Sequence, residues 1–186
     1  IAANLSQVME AVRRNGSDMG IVVDPDVDRL AFVCEDGELF GEEYTLVAVA
    51  DYVLSATPGD TVSNLSSTRA LRDVTERHGG HYAASAVGEV NVVAKMKETG
   101  AVIGGEGNGG VIYPALHYGR DALVGVALLL TSLARSGKRM TELRSGYPQY
   151  YMAKDKITLR PGMDVAKILS GMKDAYSGER ITFARG

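Results

Sequence analysis

Apolar residues at Leu5, Val8, Met9 and Val12, alternating with Gln7, Glu10, Arg13 and Arg14, keep helical spacing, and Asn15-Gly16 supplies a stop. The short β-branched run Met19-Gly20-Ile21-Val22-Val23 then reads as a buried strand. It runs straight into Asp24-Pro25-Asp26-Val27-Asp28-Arg29, after which Leu30 to Cys34 forms a second apolar run ahead of the Asp36-Gly37 hairpin signal. Leu46, Val47, Val49, Ala50, Val53 and Leu54 predict a helix over 42–54, broken by Pro58-Gly59. Further along, strands are predicted at 61–65, 81–87, 101–103 and 111–113, and helices at 66–78 and 89–99. The segment from Asp121 to Arg135 is the most apolar helix of the chain, with Asp121 as its cap, and is expected to be the central helix of the core.

Strands alternating with helices imply a layered α/β domain with a largely parallel or mixed sheet and flanking helices. Pro148 marks a boundary, beyond which residues 154–160 read as a strand and 164–176 as a helix. That stretch is too short to close a core of its own, so it is expected to open a further domain. The chain starts at Ile1 without Met and stops in a polar stretch at Gly186, and it is read as a piece of a longer polypeptide. No internal repeat or low-complexity stretch is visible.

Composition narrows the classes of function. The 186 residues carry 20 Lys+Arg against 23 Asp+Glu, a net charge of −3, with no basic stripe to neutralise phosphates, so a nucleic-acid partner is not expected. No apolar run approaches the roughly 20 residues of a membrane span, and no membrane partner is expected. The single cysteine, Cys34, excludes an intramolecular disulfide and a multi-cysteine zinc site, and a cytoplasmic location is expected.

Asp24, Asp26 and Asp28 alternate within one turn, and carboxylates so close together repel unless a cation compensates them. Oxygen-only donors suit Mg²⁺ or Ca²⁺ rather than zinc or copper. Arg29 adds a planar fork suited to phosphate. A solvated acidic turn is the plain alternative. Asp24, Asp26, Asp28 and Glu35 also occupy EF-hand places, but Arg29 stands where that loop needs glycine. A nucleophilic Asp24 with Asp26 as acid, directly after a strand, matches a haloacid-dehalogenase-like phosphatase, and a non-catalytic divalent-cation module is a further alternative.

The second motif is Gly104-Gly105-Glu106-Gly107-Asn108-Gly109-Gly110. A strand pattern follows it rather than a helix start, which argues against a dinucleotide fingerprint. Glycines let a backbone approach a ligand, and Glu106 and Asn108 offer the acceptor and the mixed donor-acceptor that paired sugar hydroxyls need.

The two loops together carry a family resemblance. Asp24-Pro25-Asp26-Val27-Asp28-Arg29 resembles the metal loop of the α-D-phosphohexomutase superfamily, and Gly105 to Gly110 resembles its sugar-binding loop. The order of Val87-Gly88-Glu89 between them and of Gly119-Arg120-Asp121-Ala122 after them is similar to the family's. The resemblance implies that residues 1–40 end a second domain with the metal loop, 41–147 form an α/β sugar-binding third domain and 148–186 begin a fourth. It implies a Mg²⁺-dependent mutase of the phosphoglucosamine, phosphomannose or phosphoglucose type. Such an enzyme interconverts hexose or hexosamine 6-phosphate and 1-phosphate through a phosphoserine and a bisphosphate. Asp24, Asp26 and Asp28 are then the metal ligands and Arg29 the catalytic support of the phosphoryl group, while Glu106, Asn108, Gly110, His117 and Arg120 hold substrate. Many relatives have Ser at Asn108, His at Gly110 and Lys near Ser66. The phosphoserine loop and the fourth domain's phosphate clamp are absent from these residues, so the parent's first and fourth domains are required partners and the piece alone is expected to be inactive. His78 and His81 read as surface residues, Cys34 as a core residue, and Tyr147, Tyr150 and Tyr151 as packing at the boundary.

Overall fold

The computed structural model describes residues 2–153, 158–160 and 162–179. Residues 1–150 form one compact unit and residues 151–186 a second. Among the described residues no helix is long and apolar enough to cross a membrane.

The first unit begins with α1 (Ala2–Asn15), which leads into the antiparallel pair β1 (Met19–Val23) and β2 (Leu30–Cys34). Met19 pairs with Cys34 and Val23 with Leu30, so the register leaves residues 24–29 as the turn between the strands. Gly20 permits α1 to lie close, since a Cβ there would stand 2.9 Å from Val12. Arg13 of α1 reaches the Asp36-Gly37 turn, donating to both carbonyls and to Glu38.

The remainder alternates as expected: α2 (Glu42–Ala56), β3 (Thr61–Asn64), α3 (Ala70–Arg77), β4 (Tyr82–Ser85), α4 (Glu89–Thr99), β5 (Ile103–Glu106), β6 (Gly110–Ile112), α5 (Ala122–Ser136) and α6 (Met140–Ser145). The sheet order is β4-β3-β5-β6, with the first three strands parallel and β6 antiparallel to β5, a mixed α/β sheet flanked by helices. Asn64, Ser85 and Glu106 therefore stand at the carboxyl ends of parallel strands, the edge where open α/β sheets receive ligands.

β1 forms where expected but is not a buried strand, since Ile21 and Val23 are exposed and only Gly20 is fully buried. Four further local differences from the sequence pattern have physical reasons. The central helix is α2, which buries nine side chains from Tyr44 to Leu54 against both β-layers and α3; α5 buries only Ala122, Gly125 and Leu129 and leaves Leu123 exposed. High apolarity in α5 reflects one packed face, not a wholly enclosed helix. The helix predicted from Ser66 begins at Ala70, because Asn64 Oδ1 accepts from the Ser66 amide and the Ser67 hydroxyl and turns the chain first. β5 runs on into the glycine-rich segment as far as Glu106. The short helix α6, too brief for a periodic signal, buries Met140 and Leu143. In the second unit α7 (Val165–Ala175) forms where expected, capped by Asp164 accepting from the Lys167 amide at 3.0 Å. Of the strand predicted at 154–160, residues 154–157 lie outside the described residues and 158–160 carry no strand.

Candidate functional site

The strand register of β1 and β2 builds the acidic turn. Asp24 Oδ1 accepts the amides of Asp28 and Arg29, both at 3.1 Å, and Oδ2 accepts Arg29 Nε at 2.8 Å. The Arg29 amide, followed by the Arg29 side chain and the Asp28 amide, outweighs desolvation and holds the Asp24 carboxyl at about 2. Both oxygens of Asp24 are engaged, which disfavours a role as a nucleophile. Val27 sits at φ 56, a left-handed conformation that a β-branched residue rarely adopts. Its carbonyl accepts the Ala122 amide at 3.0 Å, tying the turn to the start of α5. Asp26 is exposed at the tip.

Asp28 lies inward. Burial raises its carboxyl pKa, the Arg120 charge opposes that, and the neighbouring Asp24 adds to the rise. Arg29 alone does not compensate the negative charge of this turn. All three donors are carboxylate oxygens, a set that fits a hard divalent cation in its chemistry. The three side chains do not converge as they stand: among the described residues no group of three or more His, Cys, Asp or Glu is placed to hold a metal ion.

The glycine-rich loop meets this turn through backbone. Leu30 N donates to Gly109 O at 3.1 Å, and Gly109, at φ +90, could not carry a Cβ, which would lie 2.1 Å from Leu30 O. Glu106 is 4% exposed, with Oε1 accepting Asn64 Nδ2 at 2.6 Å and Oε2 accepting Arg120 Nη1 at 2.7 Å. Asn108 Oδ1 turns back to the Gly110 amide at 3.2 Å. Ser67 Oγ accepts the Gly107 amide at 2.9 Å, and Glu43 Oε2 accepts the Thr68 amide at 2.8 Å.

Arg120 joins the parts. Its Nη2 donates to Asp28 Oδ2 at 2.5 Å, Nη1 to Glu106, Nε to Glu89 Oε2 at 3.2 Å, and its backbone amide to Glu89 Oε1 at 3.0 Å. Glu89 occupies the first turn of α4, where the helix dipole favours a carboxylate. Gly110 makes room for the arginine stem, since a Cβ there would lie 2.5 Å from Arg120 Cδ. His117 pairs with Asp121 at 3.0 Å, and Asp121 also caps α5 through the Val124 amide.

Of the residues singled out by sequence, the structure thus brings Asp28, Glu106, Gly110 and Arg120 into one network and pairs Asp24 with Arg29. It places His117 on Asp121 and leaves Asp26 exposed at the tip. Asn64, Ser67, Glu43 and the role of Glu89 were missed. A polar residue at the carboxyl end of a central strand, as Asn64 is, was the available signal.

The family description "Phosphoglucomutase/phosphomannomutase, alpha/beta/alpha domain III" matches residues 41–151, and that of domain II matches residues 1–37. A phosphoglucomutase/phosphomannomutase of Thermococcus kodakarensis is 36% identical over 82% of this chain and 34% of its own length. A probable phosphoglucosamine mutase of Methanopyrus kandleri is 32% identical over 83% of this chain and 34% of its own. Among solved structures, a phosphoglucomutase/phosphomannomutase family protein of Burkholderia thailandensis superposes with a TM-score of 0.72 at 32% identity, covering 80% of this chain and 33% of that one. The chain thus spans about a third of the length of the curated relatives it matches.

Proposed function

The chain belongs to the phosphoglucomutase/phosphomannomutase family, and from that premise we propose that it carries the metal-loop and sugar-loop portion of a Mg²⁺-dependent phosphohexomutase. The whole enzyme would interconvert the 6- and 1-phosphates of a hexose or hexosamine, with glucosamine, mannose and glucose all open as the sugar. The phosphoserine that hands on the phosphate, and the bisphosphate formed from it, belong to the same proposal and depend on parts of the enzyme outside these residues.

One observation carries the reading: the acidic turn and the glycine-rich loop share a site, bonded at Leu30–Gly109 and bridged by Arg120 between Asp28 and Glu106. Asp24, Asp26 and Asp28 would hold the cation, which supplies charge neutralisation to a phosphoryl group when bound. Arg29 keeps Asp24 in place with Nε while its half-exposed guanidinium offers further donors to phosphate oxygens. Such a reaction asks the protein for positioning and charge rather than covalent chemistry, which suits a site of arginines and carboxylates. Glu106, fixed by Asn64 and Arg120, retains lone pairs for sugar hydroxyls, and Asn108 adds an amide.

Calorimetry of the 186-residue chain with glucose 6-phosphate, with and without Mg²⁺, tests the proposal. Binding assisted by the cation and abolished in Asp28→Asn is expected. Equal binding with and without Mg²⁺ would overturn it. In a coupled mutase assay these residues alone are expected to show no turnover.

A further inference from the structure

Arg120 is one guanidinium shared by three carboxylates, Asp28, Glu89 and Glu106. Its side chain is only 19% exposed, and the partners differ in how firmly they hold it. Glu106 is buried behind Asn64, and Glu89 grips both the side chain and the backbone amide of Arg120, so Nε and Nη1 are each held and the stem packs over Gly110. Asp28, on a turn 92 residues away in sequence, pairs with Nη2. Asp28 also answers to Arg29, 3.7 Å away, and to the repulsion of Asp24.

From this asymmetry we infer that Arg120 is a positioning residue that acts as the exchangeable counter-ion of Asp28 and couples cation binding to phosphate binding. The inference rests on the reading that Asp28 is a ligand of the divalent cation. When Asp28 turns to the cation, Arg120 stays where Glu89 and Glu106 hold it, and Nη2 is left without an acceptor. A largely enclosed guanidinium donor left unpaired is costly. The nearest chemistry to restore the bond is an anionic oxygen arriving beside the cation, and a phosphate oxygen has the charge and geometry for it. Cation and phosphate therefore strengthen each other, and by linkage the effect is reciprocal.

The test uses calorimetry on the 186-residue chain with Mg²⁺ alone, inorganic phosphate alone, and each in the presence of the other, with thermal unfolding to check that every variant folds. In the unsubstituted chain Mg²⁺ is expected to tighten phosphate binding by about tenfold. Arg120→Gln removes the competitor for Asp28, so Mg²⁺ alone is expected to bind several-fold tighter while its effect on phosphate disappears. Glu89→Gln leaves Arg120 fewer anionic partners and a firmer hold on Asp28, so Mg²⁺ alone is expected to bind more weakly. Arg120→Lys, a milder change, is expected to fall between Arg120→Gln and the unsubstituted chain. Opposite shifts in Arg120→Gln and Glu89→Gln are not expected of residues that merely brace the loops. Weaker Mg²⁺ binding in Arg120→Gln would overturn the inference and leave the magnesium reading standing. No Mg²⁺ binding in any of these proteins would overturn both.

Discussion

Val27 and Asp51 show two ways in which single side chains carry strain or charge for the rest of the fold. Val27 holds φ 56 in the middle of the acidic turn, where its branched Cβ crowds the backbone at a cost of about 1 kcal/mol or more. Because it is 38% exposed, replacement gives up only part of a valine's burial, and Asn tolerates this conformation. Val27→Asn is therefore expected to raise the thermal midpoint by about 2–4 °C, read by circular dichroism; a fall would mean that the side chain stabilises more than its backbone strain costs. Asp51 lies away from the site and gathers Arg77, His78 and the Tyr147 hydroxyl. Burial would raise its pKa, but the hydrogen bonds from His78, Arg77 and Tyr147 with the Arg77 charge together hold it below 3.8. A lowered carboxyl contributes stability above its ordinary pKa and loses it as the carboxyl is protonated on acidification. Urea midpoints are expected to fall as the pH drops below 3.8, and Asp51→Asn should make that limb shallower while lowering stability at pH 7.

Individual elements were legible wherever the signal was local. β1, β2, α4 and the cap of α5 stand where periodicity, turn residues and Asp121 put them, because each depends on residues within a few positions. The start of α3 was not legible, since the helical pattern from Ser66 competes with an Asn64 side chain whose other arm reaches Glu106, 42 residues on. Arg120, Asp28 and Glu106 were singled out, but not their pairing nor the part of Glu89, because Asp28 and Glu89 are brought to Arg120 only by the sheet order and the α5 approach. The contact between the loops likewise rests on Gly109, whose φ of +90 and crowded surroundings distinguish it from Gly79, at φ +78 with nothing within 4 Å of a Cβ. Gly79→Ala is expected to cost only the left-handed penalty of about 1 kcal/mol. Gly109→Ala must also displace the Leu30 carbonyl, so a larger loss in urea denaturation is expected, together with loss of Mg²⁺-assisted glucose 6-phosphate binding. Equal losses for the two glycines would mean that the loops are not held together at Leu30.

At the level of the whole molecule, sequence placed a boundary at Pro148, and the first compact unit ends close by, at Tyr150. The shift has a cause in the tyrosines. Tyr44 donates its hydroxyl to Pro148 O and accepts the Tyr150 amide, Tyr150 donates its own hydroxyl to Asp73, and Tyr147 reaches Asp51. The segment that follows the short helix is thus fastened to α2 and α3 up to Tyr150, and Tyr151 is 97% exposed. In the second unit α7 buries no side chain, so little in it resists local opening. Brief chymotrypsin treatment is accordingly expected to cut after Tyr151 before it cuts after Tyr44, Tyr147 or Tyr150, all of which are shielded by the first unit. Cys34 then reports whether the remaining piece is a fold in its own right. It is 3% exposed, and burial, with the nearby Asp36 and Glu35 charges, pushes its thiol up to about 12, so alkylation at neutral pH requires the β1–β2 pair to open. If residues 1–150 are the cooperative unit, Cys34 labelling by iodoacetamide follows the same urea midpoint before and after the cut. A midpoint that falls once the second unit is removed would show that residues beyond Tyr151 stabilise the first.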